Sequence, residues 1–150
     1  MRLQFLVLLI IMSNIASAQL DDNFNDGEIL HQPEWLGDTA DFSVNLSGQL
    51  QLNAPDAGTS NLFTPLSLNS MDNIEWTFFI HLAFSPSSTN FARVYLAMDQ
   101  PDGTGNGYFL QFGEALSNDA VQLFRQDGAN IISVCRATDG QIAAAFSLGI

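Results

Sequence analysis

Lysine is missing from this sequence altogether, and its four arginines face sixteen aspartates and glutamates, a formal net charge of −12. A field of that sign repels phosphate backbones and anionic lipid heads, so nucleic-acid binding and attachment to a membrane surface are disfavoured. Cysteine is almost as scarce. Cys135 stands alone, which excludes an intramolecular disulfide scaffold and leaves stability to a hydrophobic core. It lies in the apolar run "NIISVCRA" and reads as a small buried hydrophobe. A nucleophilic thiol needs a histidine beside it, and neither His31 nor His81 is placed by the sequence to serve. Those two histidines are far apart, with no His-x-x-x-His pair and no second cysteine, which argues against zinc. No Gly-x-Ser-x-Gly elbow occurs either, so the usual frame for Ser–His–Asp hydrolysis is lacking.

The one long apolar run is at the start, "MRLQFLVLLIIMSNIASAQL". Arg2 is followed by an apolar stretch at 3–12, about half the ~20 residues of a spanning helix, and then by Ala16-Ser17-Ala18. This is the pattern of a signal peptide over residues 1–18, cleaved after Ala18, with no membrane insertion of what remains. No cysteine stands at the cleavage point to take a lipid. Residues 19–150 suit one domain, and a secreted, extracellular or cell-surface location is expected.

Helical periodicity is nearly absent from that domain. Short alternating runs are separated by Gly, Pro, Asn, Asp and Ser, which predicts an all-β antiparallel sandwich or barrel. Strands are expected at 42–45, 49–53, 61–64, 74–84, 91–98, 107–112, 120–125 and 131–136. In "IEWTFFIHLAF", Ile74, Trp76, Phe78, Ile80, Leu82 and Phe84 share the core face; Glu75, Thr77, Phe79, His81 and Ala83 share the other. In the next run Val94, Leu96 and Met98 oppose Arg93, Tyr95 and Asp99. "EALSNDAVQLFRQ" also fits a helical stripe that Ser117 would cap, but the turn-like "QDG" after it favours a strand. The closing "GQIAAAFSLGI" ends on an apolar run with no turn, so an unpaired edge and missing strands are expected there.

The glycine-rich "DQPDGTGNGYF" (99–109) raises a sharper question. No Lys-Ser/Thr and no helix start follow its glycines, so it does not cradle a phosphate. Asp99, Asp102 and Asn106 offer oxygen ligands for calcium. The alternative is a hairpin connection made of a Pro-Asp-Gly and an Asn-Gly turn. "DDNFNDGE" has similar alternate oxygens, but Asp26 stands where a calcium loop needs glycine, and Phe24 reads as a core anchor of a first strand.

The segments "DDNFNDGEI", "PEWLGDTADFSVN", "GQLQLNAP", "NGYFLQFGE" and "VQLFRQDG" together resemble the laminin-G/concanavalin-A-like lectin module. The version they resemble stands at the N-terminus of large exported proteins of Gram-negative bacteria. The resemblance covers roughly residues 20–140 and implies export through the periplasm. It also implies a two-sheet jelly roll, usually with a concave face that can bind sugar. Such modules usually run several strands further than this chain.

Some relatives in that fold hydrolyse β-glucans with carboxylates at alternate positions of one strand. Here Glu28, Glu34, Glu75 and Glu114 begin no such series, so the chain is expected not to be an enzyme. Sugar binding needs aromatic faces for the ring and amide or guanidinium groups for the hydroxyls. The non-core face offers Thr77, Phe79, His81, Arg93, Tyr95, Phe109, Gln111, Gln122 and Phe124. If those strands are neighbours, Phe79, His81, Arg93, Tyr95, Gln111 and Phe124 form one patch for a glycan or cell-surface polysaccharide. Otherwise the same aromatics pack beneath other structure, and the module is a spacer, an interaction domain or an enzyme's accessory domain.

Overall fold

The computed structural model describes residues 20–150 apart from 69 and 117, so the signal-peptide segment and Ser117 lie outside the described residues. Among the described residues the regular structure is almost entirely β, with one 3-10 turn at Thr39–Asp41 and every strand pairing antiparallel. The first strands are β1 (Leu36–Gly37), β2 (Phe42–Val44), β3 (Leu50–Leu52) and β4 (Leu62–Phe63). They form two small pairs, β1 with β4 and β2 with β3. Phe24, expected in a strand, instead sits in a turn at φ 54°, where its ring packs 6.1 Å from Trp35. Asp22 holds that turn, accepting from the Phe24 amide and from Trp35 Nε1, each at 2.8 Å.

The larger part is a β-sandwich. One layer is a four-stranded sheet in the order β6 (Ala92–Met98), β7 (Asn106–Phe112), β8 (Val121–Asp127) and β9 (Asn130–Arg136). The other is β5 (Phe79–Leu82) paired with β10 (Phe146–Gly149). The alternation of residues 74–84 decides how the layers meet. Leu82, Phe112 and Ile142 form the buried centre, with Phe78, Ile80, Phe84, Ala92, Val94, Leu110, Val121 and Phe146 around it. Phe112 meets Phe78 edge-on at 6.4 Å and stacks with Phe146 at 6.2 Å, geometries that add to burial.

Three expectations change. The strand at 74–84 is paired only over Phe79–Leu82, extended by the mutual hydrogen bonds of Phe78 and Ile150. The apolar run at 146–149 is therefore not wholly unpaired: it lies along β5 in full register. In β6 a bulge falls between Tyr95 and Ala97 and shifts the phase, so Met98 pairs with Gly107 rather than continuing the face of Val94. The segment that also fitted a helix is strand β8.

Cys135 is exposed, not buried. It belongs to β9, the edge of the four-stranded sheet, whose seven residues are all exposed. The apolar pattern of "NIISVC" foretold a core strand. The shorter second layer, β5 and β10, leaves that edge uncovered.

Candidate functional site

The face of the four-stranded sheet turned away from β5 and β10 is laid out in rows by the strand register. Arg93, Gln111, Gln122 and Arg136 stand directly opposite one another across all four strands. The adjacent row is Tyr95, Phe109, Phe124 and Ser133, and the next carries Gly107, Gln126 and Ile131. A polar row thus runs beside an aromatic one, because period-two strands in register bring like positions together.

Each row is internally braced. Phe109 packs 5.1 Å from Tyr95 and 5.2 Å from Phe124, the latter nearly parallel. The Arg93 guanidinium lies 4.7 Å above the Phe109 ring and 5.0 Å from Phe91. Phe109 is consequently fully buried, while Tyr95 keeps 38% of its surface exposed. Arg93 Nε donates to Gln111 Oε1 at 2.9 Å, and Gln111 Nε2 donates to the Gly113 carbonyl at 2.8 Å. At the far end Gln122 Nε2 donates to Glu114 Oε2 at 2.9 Å, and Arg136 Nη2 lies 2.6 Å from Glu114 Oε1. The Glu114 amide is held by the carboxylate of buried Asp119. Glu114 and its hydrogen bond raise the pKa of Arg136, with Asp139 adding to the effect.

An open cavity of about 280 Å³ crosses this face, lined by Arg93, Gly103, Thr104, Gln126, Gly128, Ala129 and Ile131. Its size is at the lower end of the ~300–1,000 Å³ of small-molecule clefts and cavities. Gln126 fixes its floor. It is 5% exposed, and its Nε2 donates to the carbonyls of Gly103 and Gly128 at 2.8 and 2.9 Å. Those two donations orient the amide and leave Oε1 buried with no donor among the described residues.

The 99–106 loop folds onto the same face. Asp99 accepts from the Asn106 amide at 2.6 Å and from Asn106 Nδ2 at 2.7 Å. Asp102 accepts from the Thr104 amide and hydroxyl at 2.9 and 2.6 Å. These donors hold both carboxyls below their usual range, Asn106 acting on Asp99 and Thr104 on Asp102. Asn106 Oδ1 in turn accepts from the Gly128 amide at 3.1 Å, joining the β6–β7 hairpin to the β8–β9 turn. Glycine suits position 105, where a Cβ would press on Asp99 Oδ1 and on the side chain of Gln100. Of the residues expected to offer ligands to calcium, Asp99 and Asp102 therefore turn their carboxylates to donors of their own loop, and Asn106 turns Oδ1 to the neighbouring β8–β9 turn. Among the described residues no group of three or more His, Cys, Asp or Glu side chains is gathered for a metal.

The structure brings together Arg93, Tyr95, Gln111 and Phe124 from the expected patch and separates Phe79 and His81 from them. These two lie on β5, which pairs with β10 and not with β6. Since Ile80 and Leu82 of that strand enter the core, Phe79 and His81 point to the other side of the sandwich. Phe79 is 60% exposed there, and His81 Nδ1 is 2.5 Å from Ser147 Oγ. Sequence reasoning missed Arg136, Glu114 and Gln126. Arg136 was legible as the outward end of β9, whereas Gln126 looked like turn punctuation and Glu114 like a loop carboxylate. No protein-family model matches the sequence, and no curated protein or solved structure matches it either.

Proposed function

We propose that this chain is an exported, non-catalytic carbohydrate-binding or adhesion module of the jelly-roll kind, whose partner is a glycan or cell-surface polysaccharide. The observation that supports it is the pairing of two rows on one sheet face: Arg93, Gln111, Gln122 and Arg136 beside Tyr95 and Phe124, which the buried Phe109 ring holds between them. Aromatic rings cover the C–H side of a sugar, and fixed amides and guanidiniums meet its hydroxyls. The carboxylates near this face favour binding over bond cleavage. Glu114 is held by Arg136 and Gln122, and Asp119 is buried against the Glu114 amide, which supports a positioning role for both.

Affinity electrophoresis of residues 19–150 through gels containing plant, algal and bacterial polysaccharides tests the reading. Retardation by at least one polymer is expected, abolished by Tyr95→Ala with the melting temperature little changed, and retained by Phe79→Ala. Equal loss in both variants would move the site off this face. Calcium enters as an added arm. A rise in melting temperature with millimolar calcium, removed by Asp102→Ala, would make Asp99, Asp102 and Asn106 a metal loop; the reading without metal expects no shift.

A second reading rests on β9, where Ile131, Ile132 and Val134 are exposed on an unpaired edge. Such an edge suits strand addition by another chain, and the module would then be a spacer or interaction domain. Retardation by no polymer, together with association that Ile132→Lys abolishes, would favour it.

A further inference from the structure

Among the described residues the arginines keep different company. Arg125 pairs with Asp127 at 2.7 Å, and Arg136 pairs with Glu114 and Asp139. Arg93 has no carboxylate within salt-bridge distance. Its neighbours are Gln111 Oε1, Tyr95 Oη at 3.5 Å and the rings of Phe91 and Phe109. In a chain of net charge −12, with sixteen carboxylates, a cation kept clear of all of them is the anomaly of the surface.

We infer that Arg93 reads an anionic group on the ligand, so that the polysaccharide taken by this face is an acidic one, bearing uronate carboxylates or sulfate esters. The inference rests on the carbohydrate reading above and names the class of polymer within it. The Arg93 fork is already in position. Its Nε is engaged by Gln111, whose own amide is tied to Gly113, and its plane rests on aromatic rings. Nη2 has no acceptor among the described residues. A guanidinium so placed gives an oxyanion paired, charge-assisted hydrogen bonds, roughly twice as strong as neutral ones.

A second observation points to a ligand at the same place. The cavity that Arg93 borders has Gln126 in its floor, and Gln126 Oε1 is a buried acceptor with no donor. A ring hydroxyl seated beside Arg93 and Thr104 would supply that donor once the Gln126 side chain turns Oε1 out of its buried position, while the oxyanion meets the guanidinium. The net charge of −12 repels a polyanion at long range, as it does a phosphate backbone, so the contact depends on the local charge of Arg93 and on screening by salt. Glu114 is paired with Arg136, Asp99 and Asp102 remain ionised on their own loop, and charges beyond ~10 Å are screened at 0.1 M salt.

The test compares polymers that share a backbone and differ in charge. Polygalacturonate is set against its methyl ester, and a sulfated galactan against the unsulfated one, each titrated calorimetrically into residues 19–150. Binding of a charged polymer about tenfold or more tighter than its neutral partner is expected, and the pair showing it identifies carboxylate or sulfate as the oxyanion. Arg93→Met keeps an apolar stem over Phe109 and should erase the preference; Arg93→Lys should retain part of it. The polymer comparison on the unaltered chain holds even if the Met variant folds poorly. Equal affinity for charged and neutral partners would overturn the acidic specificity and leave the glycan reading standing. Failure to bind these polymers or any other polysaccharide would overturn both.

Discussion

Phe109 and Phe112 sit three residues apart on one strand, and neither has any exposed surface, yet they are buried by different means. Phe112 points into the sandwich, where Phe78, Phe146, Leu82 and Ile142 close over it from outside its own sheet. Phe109 points the other way and is covered by Tyr95, Phe124 and the Arg93 side chain, all belonging to its own sheet. A cover from a second layer is fixed by backbone. A cover made of side chains can rearrange to admit a ligand while the sheet beneath stays in place. The same strand thus supplies a structural face and a recognition face.

That difference sets the order of expected effects. Phe112→Ala should be the most damaging single truncation, about 3–5 kcal/mol in urea unfolding, because backbone-fixed neighbours cannot collapse into the cavity. Phe109→Ala should lose less, about 2–3 kcal/mol, since Tyr95 and Arg93 can close over part of the gap. It should nevertheless weaken polysaccharide binding, which Phe112→Ala at equal folded fraction should not. Equal stability losses in the two variants would remove the contrast between the faces.

Smaller effects come from the loops. Donors from Asn106 lower the Asp99 pKa, so the carboxylate contributes stability above its unfolded value of about 4. That contribution is lost as pH falls through the lower folded value. The melting-temperature gap between the unaltered chain and Asp99→Ala should therefore be present at pH 7 and shrink below pH 4. The opposite sign holds at His31, whose pKa is raised by its hydrogen bond and charge interaction with Glu28 at 2.9 Å. Its contribution is present below about 6.5 and disappears as pH rises through the folded value. His31→Ala should thus differ from the unaltered chain at pH 5.5 and match it at pH 9. Both groups are exposed, so these shifts should be the smallest of the set.

The parts of this arrangement that were legible in the sequence are those carried by local alternation. Residues 78–84 declared which side chains enter the core, although Ile74 and Trp76 of the same expected face are only half-buried outside it, and the turn residues of 99–106 declared a hairpin between β6 and β7. What stayed hidden depends on which strand lies beside which. Nothing in "FFIHL" tells that its partner is Phe146–Gly149, a four-residue strand that follows a run of alanines, and so Phe79 and His81 could not be separated from Tyr95. The bulge after Tyr95 turns Met98 to the other face with no mark in the residue pattern. Cys135 looked like core because β9 has core composition, while its exposure follows from being last in the sheet. Arg93, Tyr95, Phe109, Gln111, Gln122 and Phe124 of the candidate face were read in advance. The rest, Arg136, Glu114 and Gln126, is assembled by register and by loops folding back.

The most direct test is an amide chemical-shift titration of labelled residues 19–150 with oligosaccharides cut from a polymer that retards it. Shifts concentrated at Arg93, Tyr95, Gln111, Gln122 and Gln126, with Phe79, His81 and Ser147 unmoved, are the predicted result. Perturbation centred on β5 and β10 would contradict the account, as would no perturbation by oligosaccharides from any polymer tried.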